Sequence, residues 1–138
     1  MLIGQLDPTD FYHLAKELHE SENLKSKDVA IERTIIDRIY YSVFLAYRKF
    51  LSNNKKFDFV PLRNGGDHKR VIKHIKEKDV FGKESYTISA MIKDMREYRG
   101  DASYNLVGTN PFTSLGKMEI EDLFADSEIL FKKIGIEI

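Results

Sequence analysis

Ile36, Ile39, Tyr40, Val43, Tyr47, Phe50 and Leu51 recur at offsets 0, 3, 4, 7, 11, 14 and 15. That spacing draws one apolar stripe along an α-helix and does not suit a strand, whose side chains alternate with period two. Ile35, Phe44, Leu45 and Ala46 lie off the stripe, so from Ile39 to Leu51 the helix is apolar on more than one side. Such a helix has to be covered on several sides. A small bundle has little room for a wholly central helix. The surplus face is therefore a candidate dimer interface, with Tyr40, Phe44 and Tyr47 of this run as the expected interface residues; the plainer reading of those three is core packing.

The rest of the chain is also helical in pattern. In "LDPTDFYHLAKELHES", Asp7 or Thr9 can accept the first free amides and Pro8 suits a first turn. Phe11, Leu14, Ala15 and Leu18 then form the inward face of a first helix ending near 21–24. The long second helix spans about 27–52. "NNKKFDFVPLRNGG" is a linker by its asparagines, proline and paired glycines. A third helix starts at Asp67, with Val71, Ile72 and Ile75 inward, and closes at Phe81-Gly82. A fourth starts near 83–85, with Ile88, Met91, Ile92 and Met95 inward. After the loop "VGTNPFTSLG", a fifth runs from about 117 to 133 on Ile120, Leu123, Phe124, Leu130 and Phe131, and the tail "IGIEI" lies over the bundle. "KFDFV" alternates, but a lone strand has no partner. The expectation is a single domain over 1–138, an all-α up-and-down bundle of about five helices.

Composition narrows the function classes. The 138 residues suit one core, and 22 basic residues balance 22 acidic ones. A strongly cationic nucleic-acid coat or an acidic tail is thereby disfavoured, although a local basic patch is not. There are no cysteines, so disulfides, thiolate catalysis and cysteine-ligated zinc are excluded. The start "MLIGQLDPTD" is short and polar for a signal peptide, and no window approaches the roughly 20 apolar residues of a membrane span. A cytoplasmic protein with no membrane partner is expected.

Most site chemistries are missing. His13/His19 and His68/His74 are pairs six apart, on opposed helix faces, whereas ligands four apart share one. No metal site or cofactor is expected, and these histidines read as solvated or capping. "RNGGDHK" lacks the lysine-serine/threonine ending of a phosphate loop. The basic third helix (His68, Lys69, Arg70, Lys73, His74, Lys76, Lys78) reads as a solvated face, with a phosphate-contacting patch as the sharper alternative.

Two stretches remain. In "RIYYSVFLAYRKFL" (38–51), Arg38 heads the aromatic run, and "MREYRGDASYNL" (95–106) gathers Arg96, Arg99, Asp101 and Tyr104. In an unbroken helix Arg99 and Tyr104 sit about 140° apart and share no face. Gly100 weakens a helix by roughly 1 kcal/mol relative to alanine and is a candidate break. A joint Arg99/Tyr104 site needs such a distortion or a second subunit. A purely structural reading pairs Arg99 with Asp101 or Asp94.

Together the stretches resemble HEPN-domain proteins. Arg38, Tyr40, Tyr41 and Phe44 resemble the family's R-x-Y-Y-A-x-F pattern. Arg99, Ala102, Ser103 and Tyr104 resemble a subgroup that reads arginine, two residues, alanine, an acidic or polar residue, tyrosine. The resemblance implies a four- to five-helix bundle that dimerises. It implies either an RNase, with an arginine and a histidine in a cleft across the dimer, or the toxin-like partner of a small nucleotidyltransferase antitoxin. Here Tyr104 stands where the nuclease pattern has histidine, and His74 is the last histidine of the chain. Tyrosine, with a reference pKa near 10, is a poor base where histidine titrates near neutrality. Arg99 can still clamp a phosphate.

The expectation is therefore a homodimeric HEPN-like protein of a toxin–antitoxin or defence-type system. RNA or a nucleotide is expected at Arg38, Arg96, Arg99 and Asp101, and any metal-independent RNase activity would use Arg99 and Tyr104. The alternative is a non-catalytic interaction module that docks a partner protein through its apolar second helix.

Overall fold

The computed structural model describes residues 7–21, 29–54, 67–104 and 117–138. Among them five α-helices form: α1 (Thr9–Glu20), α2 (Val29–Asn54), α3 (Asp67–Glu77), α4 (Ser85–Tyr104) and α5 (Lys117–Lys133), with a short 3-10 turn at Gly82–Glu84 before α4. No strand occurs among the described residues. The expected linker, "KFDFV" and the loop before α5 fall largely or wholly outside them.

The first helix starts as its sequence indicates. Asp7 Oδ1 accepts the Thr9 backbone N–H at 2.9 Å and the Thr9 hydroxyl at 2.8 Å. Pro8 enters the turn at φ −54°. The inward face differs from the expected one. Tyr12 and Ala15 are buried, Leu14 is 41% exposed, and Phe11 and Leu18 are half-buried. Tyr12 takes the inner position because it satisfies both demands of burial. Its ring meets Phe124 and Phe131 edge-on at 5.5 and 5.6 Å, and its hydroxyl donates to Glu128 at 2.7 Å.

The other stripes face inward as read, with Phe50, Ile72, Met91 and Leu123 at the margin. The surplus apolar girth of α2 has a different explanation from a dimer surface. This helix packs against α1, α3, α4 and α5, so it is the central helix of the bundle. Tyr40, Phe44 and Tyr47 are 1%, 3% and 0% exposed in the single chain. They are core residues and present no surface to a second copy or to another protein. Four partner helices cover Ile35, Phe44 and Ala46 of the extra face, and Leu45 is half-buried.

Two helix ends are closed by left-handed residues. After α5, Gly135 at φ +79° lets its N–H reach Lys132 O at 3.1 Å while Ile136 N–H reaches Phe131 O at 2.9 Å. That pair of bonds satisfies carbonyls the helix leaves open. It also turns the tail back, where Ile134 and Ile136 pack on the core. After α3, Asp79 adopts φ +47° and Val80 N–H reaches Ile75 O at 3.4 Å.

The expected break at Gly100 is absent. The helical backbone of α4 continues through Gly100 to Tyr104. Positions 99 and 104 therefore stand about 140° apart around the axis, and the distorted turn that would join them within one chain does not form. A glycine's helix penalty of about 1 kcal/mol is small beside the packing that α4 makes along its other turns.

Candidate phosphate and nucleic-acid site

The two motif stretches meet where α2 packs on α4. On α2, Asp37, Tyr40, Tyr41 and Phe44 lie at offsets 0, 3, 4 and 7 and share a face. On α4, Arg99 follows Ile92 and Met95 along the inner stripe, so its side chain enters beside the core.

Arg99 Nε donates to Asp37 Oδ1 at 2.7 Å. Its guanidinium carbon lies 5.7 Å from the ring centre of Tyr40 and 6.0 Å from that of Tyr41, in cation–π range. The pair is partly shielded, with Arg99 23% and Asp37 28% exposed. Arg38 lies at the same rim: Nη1 is 4.0 Å from Asp37 Oδ2, and its guanidinium is 5.5 Å from the Phe11 ring centre. Arg38 Nε is buried with no hydrogen-bond partner among the described residues, while the side chain as a whole is 39% exposed. Its stem is thus covered and its tip reaches water. Arg96 is half-buried and acts electrostatically on Tyr40.

A third helix contributes a group that sequence reasoning placed elsewhere. His68, in the first turn of α3, lies 2.7 Å through Nδ1 from the Tyr40 hydroxyl. Its ring stacks on Phe44 at 3.9 Å and 16°, lies 5.5 Å from Tyr40 at 20°, and meets Tyr41 edge-on at 6.3 Å. Burial holds the Tyr40 hydroxyl well above the usual phenol range, and the nearby Arg96 and Arg99 charges only partly offset this. Tyr40 therefore keeps its proton.

Of the expected site residues, the structure gathers Arg38, Arg96 and Arg99 around the Tyr40 ring or the Asp37 carboxylate. The side chains of Asp101 and Tyr104 lie outside the described residues. Asp37 and His68 were missed. Asp37 had a local signal, a carboxylate one turn before the tyrosine pair on an otherwise apolar face. His68 had none, since its partners are contributed by another helix. The reading of His68 as a solvated or capping histidine gives way to a half-buried ring bonded to a core tyrosine.

Chemically, the Arg38 and Arg99 guanidinium groups flank the single Asp37 carboxylate, the Arg96 charge lies near Tyr40, and the half-buried ring of Tyr41 lies beside them. This suits an anion attached to a flat ring. An open cavity of about 880 Å³ lies elsewhere, between the start of α1, the end of α2 and the tail, where Thr9, Lys49 and Ile136 line it. Among the described residues no arginine or histidine lines that cavity, and none of the cluster's described side chains does. Among the described residues no group of His, Cys, Asp or Glu side chains could hold a metal ion. No helix among them is long and apolar enough to cross a membrane. Comparison with protein-family models, curated proteins and solved structures finds no match to this chain.

Proposed function

We propose that the chain is a HEPN-like helical protein of a toxin–antitoxin or defence-type system, binding RNA or a nucleotide at the Arg99 cluster. In this reading Arg99, with Arg96 and Arg38, engages phosphate, and a ring of the ligand lies against Tyr41, the half-buried member of the tyrosine pair. Homodimerisation, a cytoplasmic setting and a nucleotidyltransferase antitoxin partner belong to the same reading. The observation that supports it is the contact between Arg99 of the second stretch and Asp37, 62 residues away and immediately before the first stretch.

The test is binding of a fluorescent single-stranded RNA in chelator, by wild type and Arg99→Ala. A weakening of about tenfold, the scale of one charge-assisted hydrogen bond, supports the reading when the fold is intact. Equal binding by both proteins, or none by wild type, rejects it. Cleavage in the same assay that disappears with Arg99→Ala adds RNase activity.

The same 2.7 Å pair favours a second reading, in which Arg99 is a clamp between α2 and α4 with no ligand. Arg99→Ala then lowers the melting temperature and changes no binding.

A further inference from the structure

We propose that α3 and the first turn of α4 form a second binding surface, for single-stranded nucleic acid, in which Lys69, Lys73 and Lys76 meet the phosphates and the Tyr86 ring takes an unpaired base. None of these residues belongs to the Arg99 cluster, so this surface does not depend on RNA binding there.

In Asp67–Glu77 four basic residues stand against two acidic ones, within a chain whose 22 basic and 22 acidic residues balance. Lys69, Lys73 and Lys76 lie at offsets 0, 4 and 7, which places them within about 60° of one another around the helix. Val71 and Ile75, each 0% exposed, anchor the other side of α3 in the core. Packing thus fixes the roll of the helix and turns the lysine stripe to solvent, where all three side chains are exposed. The stripe covers about 10 Å of the axis, enough to follow a backbone rather than hold one anion. Its charge is only lightly offset. Lys73 Nζ lies 3.9 Å from Glu77 Oε1, with the two side chains 70% and 56% exposed, and an exposed pair of that kind contributes little. A phosphate can replace it at small cost.

An aromatic ring completes the surface. Tyr86, the second residue of α4, is 68% exposed, the most exposed large apolar side chain among the described residues. Lys76 Nζ lies 5.5 Å from the centre of its ring, in cation–π range, so the stripe on α3 continues onto the ring on α4. Glu84, the acidic residue nearest before Tyr86 in the chain, is engaged by Lys133 at 2.8 Å. Cations beside an exposed ring are the two features that hold single strands: the cations track the backbone, and the ring stacks on any base. A duplex keeps its base faces inside the stack, so an unpaired strand is the better fit. An anionic bilayer meets the same lysines, but binding there is built on several apolar side chains, whereas Tyr86 brings a single polar-tipped ring.

The chain has no tryptophan, so Tyr86→Trp places a single fluorophore on this surface. Titration of that variant, as the whole chain, with decauridylate RNA is expected to quench its emission saturably at low salt. Wild-type affinity, read by anisotropy of the labelled RNA, is expected to fall as salt rises, with a log–log slope of about −2 for three phosphate contacts. Tyr86→Ala is expected to weaken binding about tenfold, the scale of one lost base–ring stack, and Tyr86→Phe to restore it. The triple variant Lys69→Gln/Lys73→Gln/Lys76→Gln is expected to lose about tenfold or more and most of the salt slope. All four side chains are exposed, so these variants should melt at the wild-type temperature, which separates loss of recognition from loss of fold. An RNA duplex bound as tightly as the single strand overturns the proposal. So do phosphatidylserine vesicles that shift the tryptophan emission where RNA does not, which would assign the surface to a membrane. Unchanged affinity in Tyr86→Ala and in the triple variant, alongside weakened binding by Arg99→Ala, overturns this surface and leaves the Arg99 reading standing. The reverse pattern supports this surface and rejects that reading. No RNA binding by wild type overturns both.

Discussion

Single hydroxyl groups settle several of the contacts that join the helices. Tyr47 is fully buried in α2, yet its O–H donates to the carbonyl of Leu130 at 2.6 Å. That carbonyl lies in the last turn of α5, where helical carbonyls lack intrahelical donors. Ile134 N–H, the next available donor, turns instead to Phe131 O at 3.1 Å. Tyr47→Phe leaves the Leu130 carbonyl buried and unpaired and is expected to cost about 1–2 kcal/mol. Urea unfolding should show a lower midpoint at unchanged slope. A midpoint equal to wild type would mean another donor reaches that carbonyl. Ser42 plays a similar part at the other end, donating to Pro8 O at 2.7 Å where α1 begins.

At the scale of the element, the ends of helices are where side-chain chemistry and pH act. Asp7 has its carboxyl below the usual carboxylate range, first because the Thr9 backbone N–H bonds it, then because the Thr9 hydroxyl does. A lowered folded pKa stabilises the fold above the unfolded value near 3.9, and this contribution is lost as pH falls through the folded value. Asp7→Ala is expected to cost about 1 kcal/mol near neutrality, the usual scale for a lost cap. The difference from wild type should shrink below pH 4 in thermal melts, and a constant difference across that range would deny the carboxylate its role. At the other end of the chain, Gly135 holds φ +79° with nothing within 4 Å of an added Cβ. The cost of Gly135→Ala is therefore conformational and not steric, about 1 kcal/mol, read as a lower melting temperature. The α4 helix shows the limit of such local reasoning. Gly100 weakens it, yet the helix continues to Tyr104.

At the scale of the whole molecule, α2 organises everything else. It touches all four other helices, so truncating it should unfold the bundle as a unit. Ile39, 0% exposed, is expected to cost about 2–5 kcal/mol as Ile39→Ala. Leu14, at 41% exposure, should cost less than about 0.5 kcal/mol as Leu14→Ala although both residues look equally apolar in the sequence. Paired melts decide the point, and comparable losses would contradict the assignment of the α1 face. The five helices, and all but a few of their inward residues, were legible in the sequence, because a 3.6-residue period is written locally. The candidate site was only half legible. Arg38, Arg96 and Arg99 stood out as cations in or beside apolar runs, whereas Asp37 and His68 acquire their meaning from partners 62 and 28 residues away.

The sequence by itself determined that this chain is helical throughout its described parts, where α1 begins, and which stripe of α2, α3, α4 and α5 turns inward. Backbone propensity, capping and periodicity act within a few residues, so a linear reading reaches them. The tertiary structure alone decided that the extra apolar face of α2 is core, that Tyr12 displaces Leu14 from the interior, and that Arg99 pairs with Asp37. It also brought His68 onto Tyr40. Each of these depends on which helix lies across from which. That is set by the joint packing of the five helices, and no single helix carries it.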